Sequence, residues 1–262
     1  MTEEDAAREA GWRGALTEPG FGPQARVFRH LPSDPRCPIC LAPYGLPFGP
    51  LVKLFGFGRS ARYPQLCNPC FRMMEKDRGG AEVPVTVLFA DVRGSTGMAE
   101  RASAADFNTL LKGFYTLVTK AVQDEGGIID KFLGDGVMAL FLPSFTERQH
   151  ASRGLNAARR ILREAQLPIG VGVNTGQAFT GFLGPTAEVA GFSAVGDAVN
   201  VAHRLGEAAQ AGELLVAGDD LPESGPAPGH DDGWEMRELQ VKGRDQAVHA
   251  WSLRHVAEPA FV

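Results

Sequence analysis

A chain of 262 residues can bury one sizeable core and still carry a small accessory module. Its apolar (44%) and charged (22%) fractions are those of an ordinary globular protein, and its net charge of −5 argues against a dedicated nucleic-acid binder. No apolar run reaches the roughly 18 residues that a membrane span needs, and the acidic opening MTEEDAAREAGWRG lacks an apolar signal core, so a cytoplasmic protein is expected.

Residues 1–30 are punctuated by Gly and Pro, with one short helical stretch, and read as a flexible lead-in. Residues 31–78 hold every cysteine of the chain, Cys37, Cys40, Cys67 and Cys70, as two CxxC pairs separated by 26 residues. In a reducing compartment this spacing points to a tetrahedral thiolate site for structural zinc, with an iron–sulfur cluster as the alternative. Thioredoxin-like redox pairs would need a surrounding βαβ pattern, and disulfides would need export; neither signal is present. The intervening loop, LAPYGLPFGPLVKLFGFGRSARYPQL, has too little periodicity to make a core without a metal. Its GFGRSA partly matches a dinucleotide fingerprint but follows no strand and opens no helix, so it is taken as chance. Six basic residues against two acids between 51 and 78 read as a solvated face rather than a nucleic-acid patch.

Regular alternation begins after Gly79-Gly80, and residues 79–262 are expected to form the main domain. VPVTVLFA (83–90) reads as a buried strand. Residues 105–123 place Phe107, Leu110, Leu111, Phe114, Leu117, Val118 and Ala121 on one helical stripe, stopped by Gly126-Gly127. IIDKFLG and VMALFLP follow as strands joined at Asp135-Gly136, a strong hairpin signal. A helix near 146–166 carries Leu155, Ala158, Ile161 and Leu162, and two strands, PIGVGVNTG and QAFTGFLG, come next. A helix AVNVAHRLGEAA then precedes the strands ELLVAG, MRELQVK and AVHAWSLR. The reading is an α+β fold: a ferredoxin-like βαββαβ domain with additional C-terminal strands, preceded by a small zinc-ribbon-like module.

This topology brings Asp91 and Asp135 together. If strand one runs up, its helix returns and strand two runs up again, so the turn between strands two and three meets the end of strand one. Two carboxylates at one sheet edge call for a cation, and Mg²⁺ or Mn²⁺ suits oxygen ligands. Taken singly, Asp91 reads as a helix N-cap and Asp135 as a turn former. Arg204 and Asn200, four residues apart, share a helix face.

VTVLFADVRGST, DKFLGDGVMALF and FSAVGDAVNVAHRL together resemble the catalytic domain of class III nucleotide cyclases, over roughly residues 83–254. The closing VKGRDQAVHAWSL is similar to that family's last strand pair, and the CxxC module resembles one found before some bacterial members. The resemblance implies joining of the ribose 3′-oxygen of a nucleoside triphosphate to its own α-phosphorus, with loss of pyrophosphate. It implies Asp91, Asp135 and the Val92 carbonyl as ligands for two Mg²⁺ or Mn²⁺ ions per site. It further implies Asn200 orienting the ribose, Arg204 neutralising the α-phosphoryl oxygens, and Lys242 on the terminal phosphates. Base choice falls to Lys131 and Ser193. A donor-only lysine and an accepting hydroxyl complement adenine, so ATP is expected first, CTP second and GTP third. Members of this type are head-to-tail homodimers, with the aspartates from one protomer and the Asn-Arg pair, Lys131 and Ser193 from the other. A rival expectation is a catalytically silent nucleotide sensor whose zinc module binds a partner.

Overall fold

The computed structural model describes residues 2–32, 34–184, 191–217, 233–240 and 247–254. They divide into two compact units, one of Met1–Pro84, Leu142–His150 and Gln177–Val195, the other of Val85–Phe141, Ala151–Gly176 and Gly196–Val262.

The β-branched and apolar run after Gly79 makes β1, Gly80–Val92, in which Val85 through Ala90 are all buried. Burial on both faces marks a central strand. A short helix α5, Ser95–Arg101, follows, and then α6, Ala104–Asp124, opened by Ser103 Oγ accepting the Asp106 N–H at 3.1 Å. The hairpin is β2, Ile128–Leu133, and β3, Gly136–Phe141, turned at Gly134 with φ of 70°. Next come α7, His150–Glu164, and β4, Ile169–Leu183. The described strands run in the order β2-β3-β1-β4, the expected ferredoxin-like arrangement. On the far side of β4 the order continues β6 (Glu213–Ala217), β8 (Val248–Arg254) and β7 (Trp234–Leu239). The α+β class and the additional C-terminal strands are therefore as expected.

Within the second unit, α6 and α7 close one core over β1, β3 and β4 through Phe114, Val118, Leu155, Ala158, Ile161 and Phe141. Each of these side chains larger than alanine stabilises by roughly 1.5–3 kcal/mol through burial. A smaller core seats α8, Asp197–Ala208, through Val201 and Leu205 against Leu215 and Ala250. The apolar stripe of α6 is buried only in its C-terminal part; Leu110 stays 44% exposed.

Glu213 is fully buried at the start of β6, where it accepts hydrogen bonds from Ser252 Oγ at 2.6 Å, the Gln210 N–H at 2.7 Å and Arg237. Burial alone would raise its pKa, but these donors outweigh it and hold the carboxyl below its ordinary value. A depressed acid stabilises above its unfolded pKa of about 4.3 and loses that contribution as pH falls through the folded value. Glu213→Gln is expected to lower unfolding free energy by about 1–3 kcal/mol at neutral pH and to flatten the acid limb of stability. Urea melts from pH 3 to 7 check this; parallel wild-type and variant curves would refute it.

Several elements differ from the sequence reading, α5 and the short helices of the cysteine-bearing segment among them. Residues read as two strands form the single strand β4, because Gly176 passes through in extended backbone. FSAV forms a further strand, β5, Gly191–Val195, pairing antiparallel with β4 in register Phe182↔Phe192 and Gly181↔Ser193. The supposed flexible lead-in contains α1, Glu3–Thr17, capped reciprocally by Thr2 and Asp5. It buries Trp12 and Leu16, with Trp12 6.2 Å from the Phe182 ring.

The first unit also holds α2 (Ala25–Phe28), α3 (Gly49–Leu54) and α4 (Asn68–Asp77). Tyr63 packs edge-on against Phe182 and Phe192 at 6.4 and 6.2 Å, and its hydroxyl accepts the Phe192 N–H at 3.3 Å. An aromatic cluster thus joins the cysteine-bearing segment to the β4–β5 hairpin.

Candidate active site and cysteine centre

The register of the central strands sets Asp91 opposite Gly136, directly after Asp135. The Val92 N–H donates to the Asp135 carbonyl at 3.0 Å, tying the β1 end to the turn. A Cβ at position 136 would lie 2.6 Å from Asp91 Oδ1, so a larger residue there would displace the carboxylate. The Asp91 carboxyl is held above its ordinary pKa, first by burial and then by the Asp135 carboxylate, with Arg93 opposing. Two acids pressed together without a cation repel, so this donor set of two carboxylates beside the Val92 backbone fits a divalent ion. Asp91 is no N-cap, since Gly94 holds that place before α5.

Three side chains that the sequence reading did not single out support this edge. Ser95 Oγ donates to Asp135 Oδ2. Tyr115 on α6 donates its hydroxyl to the Gly134 carbonyl, and its ring packs tilted against Phe132 at 4.7 Å. The same two influences, burial first and then Asp135, raise the Tyr115 phenol. Arg93 Nη1 lies 3.5 Å from Asp91 Oδ2. Arg93 and Ser95 follow the aspartate within FADVRGST, where the signal was in view but bore no assigned role.

Asn200 and Arg204 sit one turn apart on α8, in the same unit as the aspartates. Asn200 is exposed, and the Arg204 guanidinium binds Glu207 Oε2 at 2.5 Å. Neighbouring His203 packs edge-on against Phe89 of β1 at 5.0 Å. Lys131 is exposed on the edge strand β2, its Nζ 3.5 Å from the buried Asp130 carboxylate. Lys131, Phe132 and Leu133 pair in unbroken register with Met138, Val137 and Gly136. A register shift falls between Ile129 and Lys131, and Lys131, Phe132 and Leu133 are all exposed. Ser193 is buried on β5, in the first unit. Lys242 lies outside the described residues.

The ligand atoms of Cys37, Cys40, Cys67 and Cys70 lie within 4.8 Å of one another, and all four residues are buried. Bridged loops bring them together, through Arg36↔Pro43 and Arg59↔Cys67, and Cys67 caps α4 so that Cys70 falls in its first turn. The Cys67 N–H points at Cys37 Sγ, 3.5 Å away. The sulfur hydrogen bonds of Cys40, Cys67 and Cys70 pull the Cys37 thiol below its ordinary pKa, while Cys40 and Cys70 are pushed up by their crowded sulfur neighbours. One thiolate is favoured and four are not unless a cation joins them, which fits the zinc expectation. Among the described residues no helix is long and apolar enough to cross a membrane.

Residues 80–248 match the family model described as the adenylate and guanylate cyclase catalytic domain. Among curated relatives, an adenylate cyclase of Anabaena cylindrica is 29% identical over 193 residues, covering 65% of this chain and 36% of that one. This chain spans about a third or less of the length of the first relatives it matches. The solved guanylyl cyclase Cya2 is similar with a TM-score of 0.60 and 26% identity, over 70% of this chain and 98% of its own. The adenylyl cyclase CyaB from P. aeruginosa is similar with a TM-score of 0.57 and 25% identity, over 70% and 99%.

Proposed function

The chain belongs to the adenylate and guanylate cyclase catalytic-domain family, and from that premise we propose that it converts ATP to 3′,5′-cyclic AMP and pyrophosphate at a homodimer interface. The observation that carries the proposal is the meeting of Asp91 and Asp135 across the β1–β3 edge. Bound there, two Mg²⁺ or Mn²⁺ ions would supply electrophilic stabilisation of the triphosphate and acidify the ribose 3′-hydroxyl.

The protein's own groups then have distinct tasks. Asp91, Asp135 and the Val92 carbonyl would hold the ions. Ser95 and Tyr115 fix the turn, so the Asp135 carboxylate is oriented before substrate arrives. Arg204 leaves Glu207 for the α-phosphoryl oxygens, where its fork meets charge growing in the transition state. Asn200 orients the ribose, and Lys242 meets the terminal phosphates. Lys131 and Ser193 read the base, and a donor beside a hydroxyl suits the N1 and N6 edge of adenine.

A second reading rests on Ser193. A hydroxyl without a methyl packs less tightly than threonine, and cytosine also offers an acceptor beside an amine, so CTP is the next candidate. Similar solved proteins carry both adenylyl and guanylyl names, so family alone does not select the base. Profiling ATP, CTP, GTP and UTP with mass identification of product tests the proposal. Cyclic AMP is expected as the main product; cyclic CMP would favour the second reading. Nucleotide binding without turnover of any triphosphate would leave a silent sensor.

We assign residues 31–78 as a zinc module and residues 79–262 as the cyclase domain. Elemental analysis of protein purified without chelator is expected to give about one zinc per chain. Stripping the zinc should lower the melting temperature by several degrees, since four buried thiols lose the ion that satisfies them. Iron and sulfide in place of zinc, or an unchanged melt after stripping, would contradict this assignment.

A further inference from the structure

Arg93 follows the metal-binding end of β1, and its side chain is only 24% exposed. Its backbone N–H is anchored on the Pro168 carbonyl at 2.7 Å. Its guanidinium reaches the C-terminal turn of α8, where Nη2 donates to the Gly206 carbonyl and Nη1 lies 3.5 Å from the Glu207 carbonyl. Carbonyls at a helix end lack partners within the helix and favour a cation. The Gln210 N–H, which could have served Gly206, donates instead to Glu213. Nη1 is also 3.5 Å from Asp91 Oδ2. β4 leaves the space: a Cβ on Gly170 would lie 2.6 Å from Arg93 Nε, a buried nitrogen with no hydrogen-bond partner. One guanidinium therefore touches a proposed metal carboxylate and the helix that carries Asn200 and Arg204.

We propose that Arg93 is a positioning residue that straps α8 to the metal-binding end of β1, while its charge competes with the divalent ion for Asp91. This rests on the reading of Asp91 as a metal ligand. The two roles need different chemistry. The strap needs a planar fork that serves two carbonyls and a carboxylate together, which lysine cannot supply. The competition needs only a positive charge close to Asp91. In the head-to-tail dimer, Asp91 and α8 of one chain serve opposite sites, so the strap also links the two sites.

The test compares Arg93→Lys and Arg93→Gln by Mn²⁺ titration, followed by electron paramagnetic resonance on the full-length dimer with a non-reactive triphosphate analogue, alongside kcat. Arg93→Gln is expected to bind Mn²⁺ about threefold more tightly through loss of the nearby charge. It should lose about tenfold in kcat because α8 is no longer held. Arg93→Lys should keep Mn²⁺ affinity within about twofold and still lose kcat to a similar extent. A merely structural role would weaken metal binding and turnover together. Unchanged or weaker Mn²⁺ binding in the glutamine variant overturns the competition, and wild-type kcat in the lysine variant overturns the strap. Should the glutamine variant not fold, Arg93→Met, which also removes the charge, carries the same Mn²⁺ expectation. Asp91→Asn is the control: Mn²⁺ binding that survives it would refute the metal-ligand reading itself, whatever the Arg93 variants do.

Discussion

Asp91→Asn is expected to reduce cyclic nucleotide formation by about a thousandfold or more while leaving the fold intact, because it removes a charge that holds the reaction's electrophile and changes almost no volume. The fold should survive for a reason visible in the structure. Burial and the crowding Asp135 carboxylate hold the Asp91 pKa up and outweigh the opposing Arg93 charge 3.5 Å away, so neutralising Asp91 relieves more repulsion than the attraction it gives up. A melting temperature equal to or above that of the wild type should accompany the loss of activity. Asp135→Asn should lose activity to a similar degree but melt lower, since it weakens the hydrogen bond from Ser95. Circular dichroism melts and a pyrophosphate-release assay on the same preparations separate the two quantities. Retained turnover in Asp91→Asn would remove the carboxylate pair from the mechanism.

The second large effect concerns assembly. Asp91→Asn and Arg204→Ala should each be nearly inactive as pure proteins, yet mixing them should restore activity. In a head-to-tail dimer each site takes the aspartates from one chain and α8 from the other. A mixed dimer then has one site with both lesions and one with none. With random exchange about half of the dimers are mixed, and each has half its sites intact, so about a quarter of wild-type activity is expected. The exposed apolar residues of the second unit near the proposed machinery, Phe132 and Leu133 at the end of β2, support burial of this surface against another copy. Mixing the variants after subunit exchange, with light scattering to confirm dimers, checks the figure. No recovery would mean that each chain completes its own site.

Much of this was legible in the chain because the informative features were local. The β-branched run before Asp91, the Asp135-Gly136 turn and the apolar faces of α6 and α7 each obey a short-range rule, and the topology that joins the two aspartates follows from their order. The cysteine spacing was equally plain, and all four sulfurs do converge. What escaped depended on contacts distant in sequence. α1 looked like a lead-in because Trp12 and Leu16 find their partners elsewhere in the chain, at Phe182 and Ser144. β5 was missed because its five residues form a strand only through pairing with β4. The role proposed for Arg93 needs the space at Gly170 and the Gly206 carbonyl that its guanidinium meets, neither visible beside FADVRGST.

The central claim is that Asp91 and Asp135 share divalent ions, and anomalous scattering from crystals grown with Mn²⁺ and a non-reactive ATP analogue tests it most directly. The account predicts two manganese peaks per site, each about 2.0–2.4 Å from oxygens of both carboxylates and adjoining the triphosphate. Nucleotide bound in the crystal with manganese peaks away from both aspartates, or with none, would contradict it.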